Sequence, residues 1–223
     1  MKRFGIIIIC LCGTLFSSVK AQDYLYEGGV AAGVSSAYGD INQGKFFYNP
    51  GVAFEATFRY NRNLRWAFLG EFLTAGLRGD SRDFENVFPG DAQLSFSSRL
   101  WQAGASAEFN FLNYGWGYDY RNTSRISPFL SLGIGIGAVS GNRETAFSFS
   151  LPMGAGLKYK FAPRWNAVLK VTFAKMLTDK SDGIEDPYPI ESSGWKNTDW
   201  YSTCTVGVTY EFGIRKRKCN NLE

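Results

Sequence analysis

The sequence predicts an all-β fold, a single eight-stranded antiparallel barrel, on three observations. Bulky residues alternate with small or polar ones along eight segments, the period-two spacing that sends successive side chains to opposite faces of a strand. The chain is rich in glycine and aromatics, with 25 Gly, 19 Phe and 12 Tyr, which suits a pleated surface better than a helix bundle. Tight turns and long connections follow one another in alternation.

Residues 1–21 stand apart from the fold. Lys2 and Arg3 open the chain, an apolar run spans Phe4 to Phe16, and the small residues Val19 and Ala21 precede a cut before Gln22. This is the pattern of a secretory signal peptide. The run is too short for a spanning helix, which needs roughly 20 apolar residues. Cys10 and Cys12 follow the bulky Ile9 and Leu11, where a lipoprotein signal would place a small residue. Removing Lys2, Arg3 and Lys20 lowers the net charge from +4 to about +1, so the basic balance of the whole chain is no argument for nucleic acid. Cys204 and Cys219 remain, too few for a disulfide framework.

The strands follow in order. In 26–38, Tyr26, Val30, Ala32, Val34 and Tyr38 alternate with Glu27, Gly29, Ala31, Gly33 and Ser35; in 52–60, Val52, Phe54, Ala56, Phe58 and Tyr60 alternate with Ala53, Glu55, Thr57 and Arg59. In 64–77, Trp66, Phe68 and Phe72 oppose Arg65 and Glu71, although Leu69, Leu73 and Leu77 share the polar side. In 94–111, Trp101, Ala103, Ala105, Ala107, Phe109 and Phe111 oppose Gln102, Gly104, Ser106, Glu108 and Asn110. Leu94, Phe96 and Leu100 run on the other parity, a change that a β-bulge would explain.

Segment 129–138 sets Leu130, Leu132, Ile134 and Ile136 against Ser131 and three glycines. Segment 147–161 sets Phe147, Phe149, Leu151, Met153, Leu157, Tyr159 and Phe161 against Ser148, Ser150, Gly154, Gly156, Lys158 and Lys160. Segment 165–176 opposes Trp165, Leu169, Val171 and Phe173 to Asn166, Lys170 and Thr172; segment 200–212 opposes Val206, Val208, Tyr210 and Phe212 to Tyr201, Thr203, Thr205, Thr209 and Glu211.

Each segment reaches the roughly 9–11 residues that a tilted strand needs to cross a bilayer. An even count lets first and last strands close antiparallel and leaves no edge, which a bilayer would not tolerate. Asn61–Asn63 and Ala162–Arg164 are tight turns, 39–50, 78–93 and 177–199 are long, and 139–146 is intermediate. Short turns on one side and long loops on the other form the outer-membrane arrangement, turns periplasmic and loops outside. The exception is 112–126, on the turn side yet long and aromatic.

A soluble ligand-holding barrel would point its apolar face inward. Here the charges share a face with the glycines and serines, which suits a narrow interior, and the bulky face has aromatics near strand ends, as a lipid-facing band does. The expected fold is therefore a transmembrane outer-membrane β-barrel over 22–214, with a basic periplasmic tail at 215–223 and outer-membrane lipid as its solvent. Eight strands leave an interior just wide enough to be filled by side chains. The expected filling is a plug of paired charges: Glu27, Glu55, Glu71, Glu108 and Glu211 with Arg59, Arg65, Lys158 and Lys170. An unpaired charge there would cost several kcal/mol.

The chain has no histidine, which removes Ser-His-Asp and Cys-His catalysis and the commonest metal ligand. No glycine spacing matches a phosphate loop. The acids at Asp179, Asp182, Glu185 and Asp186 fail the EF-hand spacing and read as a solvated loop. The sequence thus gives no catalytic residue, cofactor, metal, nucleic acid or small-molecule substrate.

Several stretches resemble a known family: 21–42 (AQDYLYEGGVAAGVSSAYGDIN), 49–67 (NPGVAFEATFRYNRNLRWA), 121–135 (RNTSRISPFLSLGIG), 151–171 (LPMGAGLKYKFAPRWNAVLKV) and 175–184 (KMLTDKSDGI). They look like the PorG-like outer-membrane barrels of Bacteroidetes, which accompany the type IX secretion system. The likeness covers nearly all of the mature chain in the same order. The family's closing loop carries a tyrosine between its acids, where this chain has Lys180 and Ser181 between Asp179 and Asp182. The resemblance implies a non-enzymatic component that links the outer membrane to a ring of periplasmic proteins. The expected partner surface is periplasmic, Tyr114, Trp116, Tyr118 and Tyr120 with the tail Arg215, Lys216, Arg217 and Lys218. The competing expectation is a general stability or adhesion barrel acting through the outer loops.

Overall fold

The computed structural model describes residues 24–38, 50–80, 95–115, 123–140, 145–177 and 200–214. Eight strands run through them: β1 (Tyr24–Tyr38), β2 (Gly51–Asn61), β3 (Trp66–Asp80), β4 (Ser95–Asn110), β5 (Ile126–Ser140), β6 (Thr145–Ala162), β7 (Trp165–Met176) and β8 (Trp200–Ile214). Each pairs with its neighbour in chain order and the sheet closes on itself. The closing pair is antiparallel, from Tyr24↔Ile214 to Tyr38↔Trp200. The predicted signal segment 1–21, the tail 215–223 and the centres of the long connections lie outside the described residues.

The alternation read from the sequence is the alternation of the barrel wall. Val30, Phe54, Phe68, Ile134, Phe149 and Val206 face outward, while Glu27, Glu55, Glu108, Lys158, Thr205 and Glu211 face inward. At the turn end, outward aromatics form a girdle: Tyr26 packs on Phe58, Tyr60 and Phe212, Trp66 on Phe109, and Trp165 on Tyr210. At the loop end, Phe72 meets Trp101, and Lys175 lies over the Trp200 ring.

Two sequence expectations change here. The parity switch at the start of β4 is not a bulge. The β3–β4 register is unbroken from Trp66↔Phe109 to Asp80↔Ser95, and Leu100 points inward because it belongs to an apolar interior layer with Leu73, Leu77, Val139, Met176 and Tyr201. Leu73 and Leu77 of β3 have the same reason, whereas Leu69 is buried outside that layer, opposite Arg59 and Ser106. The ladder does shift in β6, between Lys160 and Ala162. The 139–146 connection is also shorter than expected, since β5 and β6 run on to Ser140 and Thr145.

One contact narrows the loop end. The β2–β3 ladder stops at Ala53↔Ala75. Beyond it the Ser35 hydroxyl of β1 donates to the Gly76 carbonyl of β3 at 2.7 Å, passing over the first residue of β2. That residue is Gly51, and a Cβ there would overlap the Gly76 carbonyl oxygen. The close approach requires glycine.

Candidate functional site

The interior is layered. Nearest the turn end, Arg59 donates to Glu27 at 2.5 Å and to Glu108 at 3.1 Å. Lys158 pairs with Glu108, and Lys160 donates to Glu211 at 2.5 Å. Asn166 ties the pairs together, its amide donating to Glu27 at 3.2 Å, Thr209 at 3.2 Å and Glu211 at 3.1 Å. Three carboxylates thus face three cations in a region with almost no solvent exposure.

Midway, Lys170 on β7 donates to Glu55 at 2.5 Å and to Glu71 at 2.9 Å, with Ser106 donating to Glu71 at 3.1 Å. At the loop end the apolar layer takes over. Its one polar tip, the Tyr201 hydroxyl, donates to Gln102 at 2.6 Å. A cavity of about 10 Å³ lies between the Lys170 pair and Tyr201, lined also by Thr172 and Thr203. It has room for about one water, and the Thr172 hydroxyl that borders it has no hydrogen-bond partner among the described residues. Stacked ion pairs under an apolar layer leave no continuous passage for a solute along the described barrel.

Of the residues expected in the plug, the structure places eight there: Glu27, Glu55, Arg59, Glu71, Glu108, Lys158, Lys170 and Glu211. Arg65 is the exception. The Asn63 side-chain carbonyl accepts from the backbone N–H groups of Arg65, at 2.9 Å, and Trp66, at 2.7 Å. This local turn delays β3 to Trp66, so Arg65 is exposed at the rim and donates to Asn113 at 3.1 Å. Lys160 takes a place in the plug that the sequence reading did not give it. It sat on the correct parity two residues from Lys158, and alternation alone could have found it.

Tyr114 is also displaced from its expected role. It is buried rather than presented to a partner. Backbone bonds to Leu64 and Ser124 fold segment 111–115 across the mouth of the barrel. The Tyr114 hydroxyl donates to Asn166 at 2.8 Å, with Lys158 and Lys160 lying over its ring. Burial, with Glu27 and Glu211 nearby, pushes its phenol above the ordinary value and keeps it a neutral donor. Tyr114 is therefore the stopper of the turn end. Trp116, Tyr118, Tyr120 and Arg215–Lys218 lie outside the described residues. At the same rim, Arg164 donates to Tyr24 and Tyr210, both at 3.0 Å. Cys204, a free thiol, lies on the outward face of β8 with Val206 and Val208.

This wall, a bulky face around a filled polar interior, is the construction of a bilayer-spanning barrel. The sequence pattern of the outer membrane protein beta-barrel domain matches residues 8–212. The chain belongs to this family. The family and its outward apolar wall place the protein in the outer membrane. Its turn end is then periplasmic and its loop end extracellular. Neisserial surface protein A shares the fold: it is 15% identical over 86% of this chain and 100% of its own, with a TM-score of 0.55. The outer membrane protein OprG of Pseudomonas aeruginosa is 14% identical over 87% of this chain and 97% of its own, with a TM-score of 0.47. The attachment invasion locus protein Ail of Yersinia pestis is 16% identical over 85% and 99%, with a TM-score of 0.48. No curated protein matches the chain in sequence.

Proposed function

We propose that this barrel is a non-enzymatic structural component of the type IX secretion machinery, holding a ring of periplasmic proteins against the outer membrane. Residues 1–21 serve as its secretory signal. The observation that carries the reading is the sealed interior. With ion pairs below, an apolar layer above and Tyr114 in the periplasmic mouth, neither a solute nor a secreted protein has a path through the wall. Function moves to the ends. The stretches of sequence that resemble the PorG-like barrels supply the identity of the machinery.

The partner surface is periplasmic but is not built on Tyr114. Phe111 and Leu112 are exposed at that rim beside Arg62 and Arg65. Together with 116–122 and the 215–218 tail they form the proposed contact with the ring. The decisive experiment is a deletion strain complemented with variants. Loss of type IX cargo export without the gene, restored by the wild type but not by a chain with Leu112→Asp and no residues 215–223, supports the reading. Normal export in the deletion strain sinks it.

The length of the outer connections favours a second reading, a stability or adhesion barrel that works through 39–50, 78–93 and 177–199. Under it, export is normal in the deletion strain and surface attachment or detergent resistance is lost.

A further inference from the structure

The interior charges do not balance. Among the described residues five carboxylates face inward, Glu27, Glu55, Glu71, Glu108 and Glu211, against four cations, Arg59, Lys158, Lys160 and Lys170. On the inward parity, the strand residues beyond the described side chains are Gly79, Phe96 and Ala146, none of them charged. The three acids and three cations at the periplasmic end cancel. The surplus belongs to the middle layer, where Lys170 alone serves Glu55 and Glu71. One negative charge is left between the ion pairs below and the apolar layer above, where an uncompensated ion is costly.

The oxygens around that charge are unevenly used. Glu55 is engaged on both, Oε1 by Lys170 at 2.5 Å and Oε2 by the Thr205 hydroxyl at 3.3 Å. On Glu71, Lys170 at 2.9 Å and Ser106 at 3.1 Å both donate to Oε1, which leaves Oε2 without a partner among the described residues. Thr172 is 7% exposed, and its hydroxyl has no partner among them either. Both residues border the one small cavity, together with Thr203 and Tyr201. Tyr201 commits its one hydroxyl proton to Gln102 and so has only lone pairs to offer. A proton on Glu71 Oε2 would neutralise the layer, but Thr172 makes no hydrogen bond to that carboxylate, and the acid would become a buried donor lacking an acceptor. A water would satisfy the oxygens and leave the charge. A cation of one charge does both.

We propose that this cavity is a binding site for a single monovalent cation of sodium size, held by oxygens of Glu71, Thr172, Thr203 and Tyr201 and enclosed as the barrel folds. The size of the cavity, about 10 Å³, admits an ion that fits where one water fits. Magnesium keeps several of its waters and calcium takes about six to eight oxygen ligands, more than this cavity holds, and a double charge would only invert the imbalance. The inference is independent of the secretion reading and needs only the barrel interior.

The test is the urea stability of the full-length chain in phosphatidylcholine vesicles, measured in sodium, caesium and choline chloride at equal ionic strength. The zwitterionic lipid keeps salt effects on anionic headgroups out of the comparison. An ion bound only by the folded state raises the folding constant by mass action. For wild type that constant should be about tenfold higher in sodium than in choline chloride, the factor for an ion at roughly ten times its Kd. Caesium, too large for the cavity, should behave like choline. Glu71→Gln makes the layer neutral and should remove the sodium response. Thr172→Val keeps the charge and the volume, and it should lose most of that response. If Glu71→Gln does not fold, Thr172→Val decides. Equal folding constants in the three salts would overturn the site, whether a water or a proton fills the cavity. So would a sodium response that either variant leaves unchanged.

Discussion

Glu108 has no solvent exposure and meets two cations, Arg59 across β3 and Lys158 on β6. Such pairs add little net stability over apolar packing, but breaking one strands a charge at about 3–5 kcal/mol. Glu108→Leu should therefore lower the urea midpoint of the barrel in lipid vesicles by an amount equivalent to about 3–5 kcal/mol. Arg65→Gln, at the exposed rim, should stay within about 0.5 kcal/mol of wild type. Equal midpoints would show that the buried network is not coupled as described. Tyr114→Phe should cost about 1–2 kcal/mol, because the Asn166 carbonyl loses its buried donor. Most of this plug was legible in the sequence, because a charge on the small-residue face of a strand has nowhere to point but inward. Arg65 was misplaced because one Asn63 side chain decides where β3 begins, and Tyr114 because segment 112–126 has no period to read.

At the scale of the strand, the periodicity carried nearly everything except the meaning of its exceptions. Leu73, Leu77 and Leu100 broke the polar parity, and the sequence could not say whether register or environment was responsible. The continuous β3–β4 ladder answers that the environment changes, from ion pairs at the periplasmic end to an apolar layer at the extracellular end. Leu100→Ala should destabilise by about 2–5 kcal/mol, as for other buried leucines, and thermal melting in detergent would read the loss. Gly51→Val should do worse. The Ser35–Gly76 crossing cannot form around a Cβ at that position, so overpacking of at least about 1–3 kcal/mol is expected. Gly70→Ala provides the comparison, since its added Cβ would only reach ordinary contact distance from the Phe58 carbonyl. In a heat-modifiability gel, the folded band should be depleted for Gly51→Val and unchanged for Gly70→Ala. Equal bands would mean that the β1–β3 approach is not a constraint on the fold.

For the whole molecule, an even count of strands lets the first and last meet antiparallel, and the β1–β8 ladder closes the barrel. The sequence made the barrel and its outward face legible because lipid and interior impose opposite demands on alternate residues. It said less about the ends, where recognition depends on loop and tail residues without a repeating pattern. The described barrel is filled by ion pairs and an apolar layer, which leaves its rims to do the work. Single-channel recording in planar bilayers tests this most directly. The wild-type barrel should insert without opening stable channels, and large, steady conductance steps from the purified protein would contradict it.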